Sequence, residues 1–192
     1  MLRFFRRRSL LLASALSIAA STAWSLELAG TKVEDQVHVG SNDLVLNGAG
    51  IRTKLVFKVY IAALYVPAKT TSASKLLQSP SPSRIALRLL RDIDADTLIG
   101  ALQEGLTSNH SASELNALKA DVDKFEGVMR SVGNAKKGDL IAIDFTNNGT
   151  QVSINGTAKG DVPGDKFAKA LLKVWLGEKP VDTDLKQALL GH

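Results

Sequence analysis

Leu46–Val66 reads LNGAGIRTKLVFKVYIAALYV and is the most apolar stretch of the chain after its N-terminus. Leu55 to Val66 is rich in β-branched and aromatic residues, which predicts one long strand stopped by Pro67. Just before it, Leu44-Val45-Leu46 is a short apolar run, and Asn47-Gly48 reads as a turn that ends it. Arg52 follows the glycines of Gly48-Ala49-Gly50 inside this apolar setting. Such a cation has two readings. It is a cross-strand ion pair or exposed strand end, or it anchors an anion in an apolar pocket. Arginine suits the second role because it stays charged when buried and its planar fork binds a carboxylate through two hydrogen bonds. Gly48 and Gly50 leave room for a ligand or for another backbone. Tyr60 shares a face with Arg52 along an unbroken strand, and a turn near Thr53-Lys54 brings the two together from adjacent strands. Tyr65 falls on the opposite face and reads as packing.

Before this stretch, Thr31-Lys32-Val33 and Gln36-Val37-His38-Val39 alternate in the manner of half-buried strands. After it, Ser72 to Leu77 suits a short helix, and Ser79-Pro80-Ser81-Pro82-Ser83 a loop. Arg84 to Leu90 returns to strand character. Asp94-Ala95-Asp96 opens a helix with Leu98, Ile99, Leu102 and Leu106 at helical spacing. Ser111 or Ser113 caps the next helix, with Glu114 placed for a capping box and Leu115, Leu118, Val122, Phe125 and Met129 on one face. Leu140 to Phe145, Thr150 to Ile154 and the run after Asn155-Gly156 predict a three-strand meander. A helix carrying Phe167, Leu171, Val174 and Trp175 ends at Gly177, and Asp182 caps a last short helix reaching Leu190. Strands, helices, strands and helices in that order argue for an α+β fold with an antiparallel sheet.

The first 25 residues have a basic start (Arg3, Arg6, Arg7, Arg8), an apolar run from Leu10 to Ala20, and small residues at Ala23 and Ser25. This is the layout of a secretory signal peptide cleaved near residues 23–25. The apolar run falls short of the roughly 20 residues that cross a bilayer, so no stable membrane anchor is expected after cleavage. Arg7-Arg8-Ser9-Leu10-Leu11 also resembles a twin-arginine signal, which ranks below ordinary secretion. The chain carries +5, and this segment holds four arginines and no acid, so the remainder carries only +1. The basic balance therefore belongs to the export signal, and no nucleic-acid partner is expected. There is no cysteine, which excludes disulfides, cysteine-ligated zinc and thiol catalysis. Residues 26–192 are enough for one domain with its own core.

Other chemistry is sparse. His38, His110 and His192 lie in no metal-ligand spacing, and no phosphate loop, dinucleotide fingerprint or nucleophile elbow occurs, so neither metal nor cofactor is expected. Asp92, Asp94 and Asp96 suit a cation site or paired carboxylates on one reading, and helix capping on the favoured one.

Gly48-Ala49-Gly50-Ile51-Arg52, followed by Val59-Tyr60-Ile61-Ala62-Ala63-Leu64-Tyr65-Val66, resembles the paired-strand signature of the chalcone isomerase fold. Lys137-Gly138-Asp139, Asn155-Gly156, Phe167-Ala168, Leu171, Val174-Trp175-Leu176-Gly177 and Leu189-Leu190-Gly191 continue the likeness to exported bacterial chalcone isomerase-like proteins over about residues 27–191. The resemblance implies an open-faced β-sandwich: a long antiparallel sheet, helices packed on one face and a ligand cleft between. It also implies two functional types, isomerases that cyclise a chalcone and fatty-acid binders that hold a carboxylate with an arginine and a tyrosine. Arg52 matches the arginine shared by both. Tyr60 stands where the isomerases carry threonine and the binders tyrosine. The tyrosine–asparagine pair that isomerases place in the helix after the third long strand is absent near Asp96–Leu106, where Thr97 and Glu104 stand. The resemblance thus implies a periplasmic binder of a fatty acid or similar amphipathic carboxylate, with Arg52 and Tyr60 as ligand-binding residues. Its alternative is an intramolecular lyase acting on a phenolic or enone substrate with the same two residues.

Overall fold

The computed structural model describes residues 26–192, so the expected signal peptide, residues 1–25, lies outside the described residues. The chain is built on a seven-stranded antiparallel sheet whose strands follow one another in chain order. These are β3 (Gln36–Val39), β4 (Asn42–Lys54), β5 (Phe57–Val66), β6 (Ser83–Leu89), β7 (Leu140–Thr146), β8 (Gly149–Ile154) and β9 (Thr157–Val162). A separate two-stranded hairpin, β1 (Glu27–Leu28) and β2 (Thr31–Lys32), precedes it. Helix α1 (Ala73–Gln78) joins β5 to β6. Between β6 and β7 come α2 (Ala95–Asn109), α3 (Ala112–Ala117) and α4 (Lys119–Val132); α5 (Asp165–Leu176) and α6 (Thr183–Leu189) end the chain. The α+β sheet with helices packed on it is the fold expected from the sequence.

β5 is the reason the opening stretch is so apolar. Tyr60, Ala62, Leu64 and Val66 point into the main core beneath the helices. Ile61, Ala63 and Tyr65 point into a second, smaller core on the other face with Val33, Leu44 and Leu46. A strand covered on both sides loses its polar alternation and reads as a continuous apolar run.

β4 departs from the sequence reading. Asn47-Gly48 is not a turn. β4 runs through it, and the pairing steps from Leu46 opposite Tyr65 to Gly48 opposite Leu64, leaving Asn47 as the extra residue of a bulge. The buried Asn47 side chain accepts from Thr70 N at 2.7 Å and donates to Leu189 O at 2.7 Å and Thr70 O at 3.0 Å. Those partners draw it out of the ladder. A bulge shifts the two-residue alternation by one, so every later residue changes face. Leu44 and Leu46 face the small core, whereas Gly48, Gly50 and Arg52 face the helices. Strict alternation from Leu46 would have put Arg52 on the wrong side of the sheet.

Two smaller differences follow. β5 begins at Phe57 instead of Leu55, because Leu55-Val56 forms the hairpin turn. The helix expected through Leu115 and Met129 is two helices. The Ser111–Glu114 capping box forms, but α3 stops at Leu118, whose ψ of 1° leaves the helical range and redirects α4.

Candidate ligand-binding site

Arg52 on β4 and Tyr60 on β5 stand directly opposite one another in the hairpin register. The ladder shifts again just beyond them: Thr53 pairs with Lys58, which makes Val59 a second bulge residue. Both side chains lie under the helices and each is only 7% exposed. A third polar group arrives from α5, where Trp175 Nε1 donates to the Tyr60 hydroxyl oxygen at 3.2 Å. That bond occupies an acceptor site of the phenol. The phenolic proton has no acceptor among the described residues and remains available to a ligand. Burial pushes the Tyr60 pKa up, against smaller downward pulls from the Arg52 charge and the Trp175 bond, so this group is a neutral donor.

Arg52 forms no ion pair and gives its guanidinium protons to no acceptor among the described residues. Arg84, on the other face of the sheet, is the useful contrast. It meets Asp144 through a two-pronged pair, Nη2 to Oδ2 at 2.7 Å, that neutralises it in place. Asp182 lies close by, hydrogen-bonded to the residue next to Arg52, but forms no ion pair with it. Asp182 caps α6 by accepting from Leu185 N at 3.0 Å and accepts from Thr53 N at 3.3 Å. Of the two readings open in the sequence, the cross-strand ion pair is not formed.

The glycines beside Arg52 make room for a neighbouring helix, not a ligand. A Cβ on Gly48 would stand 2.1 Å from Ala188 O, and one on Gly50 would stand 2.8 Å from Ala188 Cβ. α6 lies directly on this part of β4 and closes one side of the site.

Arg52, Tyr60 and Trp175 form one end of an apolar cavity. Its walls are Leu87 and Ile143 from the sheet, Leu98, Ala101 and Leu102 from α2, Phe125 and Met129 from α4, and Leu171 and Val174 from α5. The space within it that water can reach is about 50 Å³, so the cavity is narrow. α2 gives the cavity only apolar side chains. Thr97 and Glu104 are exposed on its outer surface, and the Thr97 hydroxyl donates to Asp94 at 3.0 Å.

The remaining candidates disperse. Asp94 caps α2, accepting from Thr97 N at 2.7 Å, and Asp92 accepts from Lys137 N at 2.9 Å and Lys136 Nζ at 3.1 Å. Those hydrogen bonds, the backbone ones foremost, hold both carboxyls below their ordinary range. Asp96 sits in the first turn of α2. His38 pairs with Asp43 on the surface, and His110 bonds Leu106 O. Tyr65 packs in the small core and donates to Glu34 O at 2.9 Å. Sequence pattern gives Trp175 only as part of an apolar helix face. Its indole N–H is the one signal of a further role, since a buried tryptophan needs an acceptor.

A family model described as chalcone isomerase-like matches residues 25–191. No curated protein sequence matches the chain. Among solved structures, the crystal structure of a fatty-acid binding protein from Arabidopsis thaliana is similar, with a TM-score of 0.65 at 15% sequence identity. The match covers 86% of this chain and 95% of the plant one. At that identity the likeness carries the fold.

Proposed function

Given that the chain belongs to the chalcone isomerase-like family, we propose that it binds a fatty acid or a similar amphipathic carboxylate in the cavity between sheet and helices. We further propose that it does so in the periplasm, after export and removal of residues 1–25. One observation carries the binding reading: a buried guanidinium with no ion pair among the described residues faces an apolar cavity beside a phenol whose proton has no acceptor among them. A charge in such a place is tolerated when a partner and further hydrogen bonds offset its desolvation. A ligand carboxylate supplies the counter-charge to Arg52 and accepts from Tyr60, while Trp175 holds the phenol in position. The apolar walls take the chain. The plant protein that shares this fold is a fatty-acid binding protein, which points the same way.

The isomerase alternative uses the same pair to stabilise an oxyanion. It is disfavoured because α2 presents Leu98, Ala101 and Leu102 to the cavity and no polar group that would orient a phenolic substrate. A chalcone whose absorption band disappears no faster with the protein than without it removes that substrate.

The direct test measures binding of a fatty acid and of the matching alcohol to wild type and to Arg52→Ala. The variant should lose about tenfold or more in affinity for the acid, as expected for a charge-assisted hydrogen bond, and little for the alcohol. Equal losses for both ligands would remove Arg52 as the anchor. Within the saturated series, affinity should rise about fourfold per added CH₂ until the cavity is full.

A further inference from the structure

The turn between β4 and β5 is unusual in composition. Leu55, Val56 and Phe57 follow one another at its tip and are 90%, 82% and 57% exposed. Among the described residues, Leu26 is the one other exposed large apolar side chain. Leu55 also has φ +58°, a conformation that hairpin turns assign to glycine or asparagine. The chain therefore holds a leucine in a disfavoured backbone conformation in order to present it to solvent. Strain of this kind, kept where a more stable residue is available, marks a site with another use.

Cations lie closest to the tip in the chain. Lys54 and Lys58 flank the three residues, and the Arg91 guanidinium carbon lies 5.2 Å from the centre of the Phe57 ring. Asp92 and Asp94 line the groove below the tip, where Asp92 is paired with Lys136 and Asp94 caps α2, so the acids sit at its base and the cations Lys54 and Lys58 flank its apolar residues. Apolar side chains at a point with cations behind them match the boundary of an anionic bilayer, where acyl chains lie beneath phosphates. A second copy of the same tip is a poorer occupant, since two tips meeting would set like charges against each other.

We propose that the β4–β5 hairpin tip docks the protein on an anionic phospholipid surface. Leu55, Val56 and Phe57 enter the boundary between headgroups and acyl chains, and Lys54, Lys58 and Arg91 meet the lipid phosphates. The docking surface stands apart from the ligand reading, because none of the three tip residues lines the cavity. The two are nevertheless close: Val59 and Thr97 border the groove under the tip and adjoin Tyr60 and Leu98 of the cavity wall. A protein docked this way holds its cavity next to the membrane.

The test is co-sedimentation with vesicles of phosphatidylcholine alone and of phosphatidylcholine mixed with phosphatidylglycerol, with every chain purified in the same processed form. Wild type should partition onto the mixed vesicles and weakly onto the neutral ones. The triple variant Leu55→Ser/Val56→Ser/Phe57→Ser should lose at least about tenfold in partition. Lys54→Gln/Lys58→Gln should lose most of the preference for the anionic lipid and its salt dependence. Far-ultraviolet circular dichroism and fatty-acid affinity in solution establish that the variants are folded. Arg52→Ala should sediment as wild type does, so failure of docking and failure of ligand binding are read separately. The proposal is overturned if the serine variant partitions as wild type does, or if wild type does not distinguish the two vesicles. It is also overturned if wild type stays off vesicles and forms a dimer that the serine variant dissolves.

Discussion

Arg52 carries a cost when the cavity is empty. A largely buried cation with no ion pair among the described residues bears a desolvation penalty. Arg52→Met keeps much of the side-chain volume and removes the charge. The ligand-free variant should therefore be more stable than wild type, by about 1 kcal/mol or more, while losing carboxylate affinity. Urea unfolding of delipidated protein measures this. A loss of stability of similar size would mean that Arg52 has an internal partner. Sequence pattern could place Arg52 and Tyr60 on one face, since both the unbroken strand and the hairpin give that result. It could not place Trp175 against Tyr60, a contact between residues 115 positions apart in the chain.

At the scale of elements, the junction of β4 with α6 decides the geometry. Asn47 is pulled out of the ladder by Thr70 and Leu189, and the resulting bulge turns Arg52 toward the helices. Gly48 lets α6 sit against the strand at backbone distance. Gly48→Ala drives a methyl into Ala188 O and should cost about 2 kcal/mol or more through overpacking. Gly100 makes the control. It is exposed within α2, with open space where a Cβ would stand, so Gly100→Ala should stabilise by up to about 1 kcal/mol. Denaturant midpoints of the two variants check the pair. A Gly48→Ala protein as stable as wild type would show that α6 can lift without consequence. The Asn47-Gly48 dipeptide reads as a turn because its chemistry is that of a turn; only the partners arriving from Thr70 and α6 make it a bulge.

For the whole molecule, the two faces of the sheet can be followed separately by titration. Tyr60 and Tyr65 are the only tyrosines of the chain, and they sit in the two different cores. Burial pushes Tyr60 up from the ordinary value of 10.0. Burial, with Glu34 adding to it, pushes Tyr65 up to about 12. The folded protein keeps protons that the unfolded chain releases above about pH 10. Stability from these groups is complete below pH 10 and is lost as the pH rises toward 12. Phenolate absorbance should stay flat through pH 10 and rise together with the loss of near-ultraviolet circular dichroism. Reversible ionisation of either tyrosine near pH 10 in folded protein would show that its core is open to water.

Features set by neighbours in the chain were legible in the sequence. The strand runs, the Asn155-Gly156 hairpin, the caps at Asp94, Ser111 and Asp182 and the apolar face of α5 each follow from periodicity or turn chemistry within a few residues. Together they led to an antiparallel sheet with helices packed on it. The tertiary structure alone decided the bulge at Asn47, the break at Leu118, the seat of α6 on Gly48 and the lack of an ion pair to Arg52 among the described residues. Each of these depends on groups that meet across long stretches of chain. The face on which a side chain lands is set by two-residue alternation until a distant partner removes one residue from the ladder, and a local pattern holds no record of that partner.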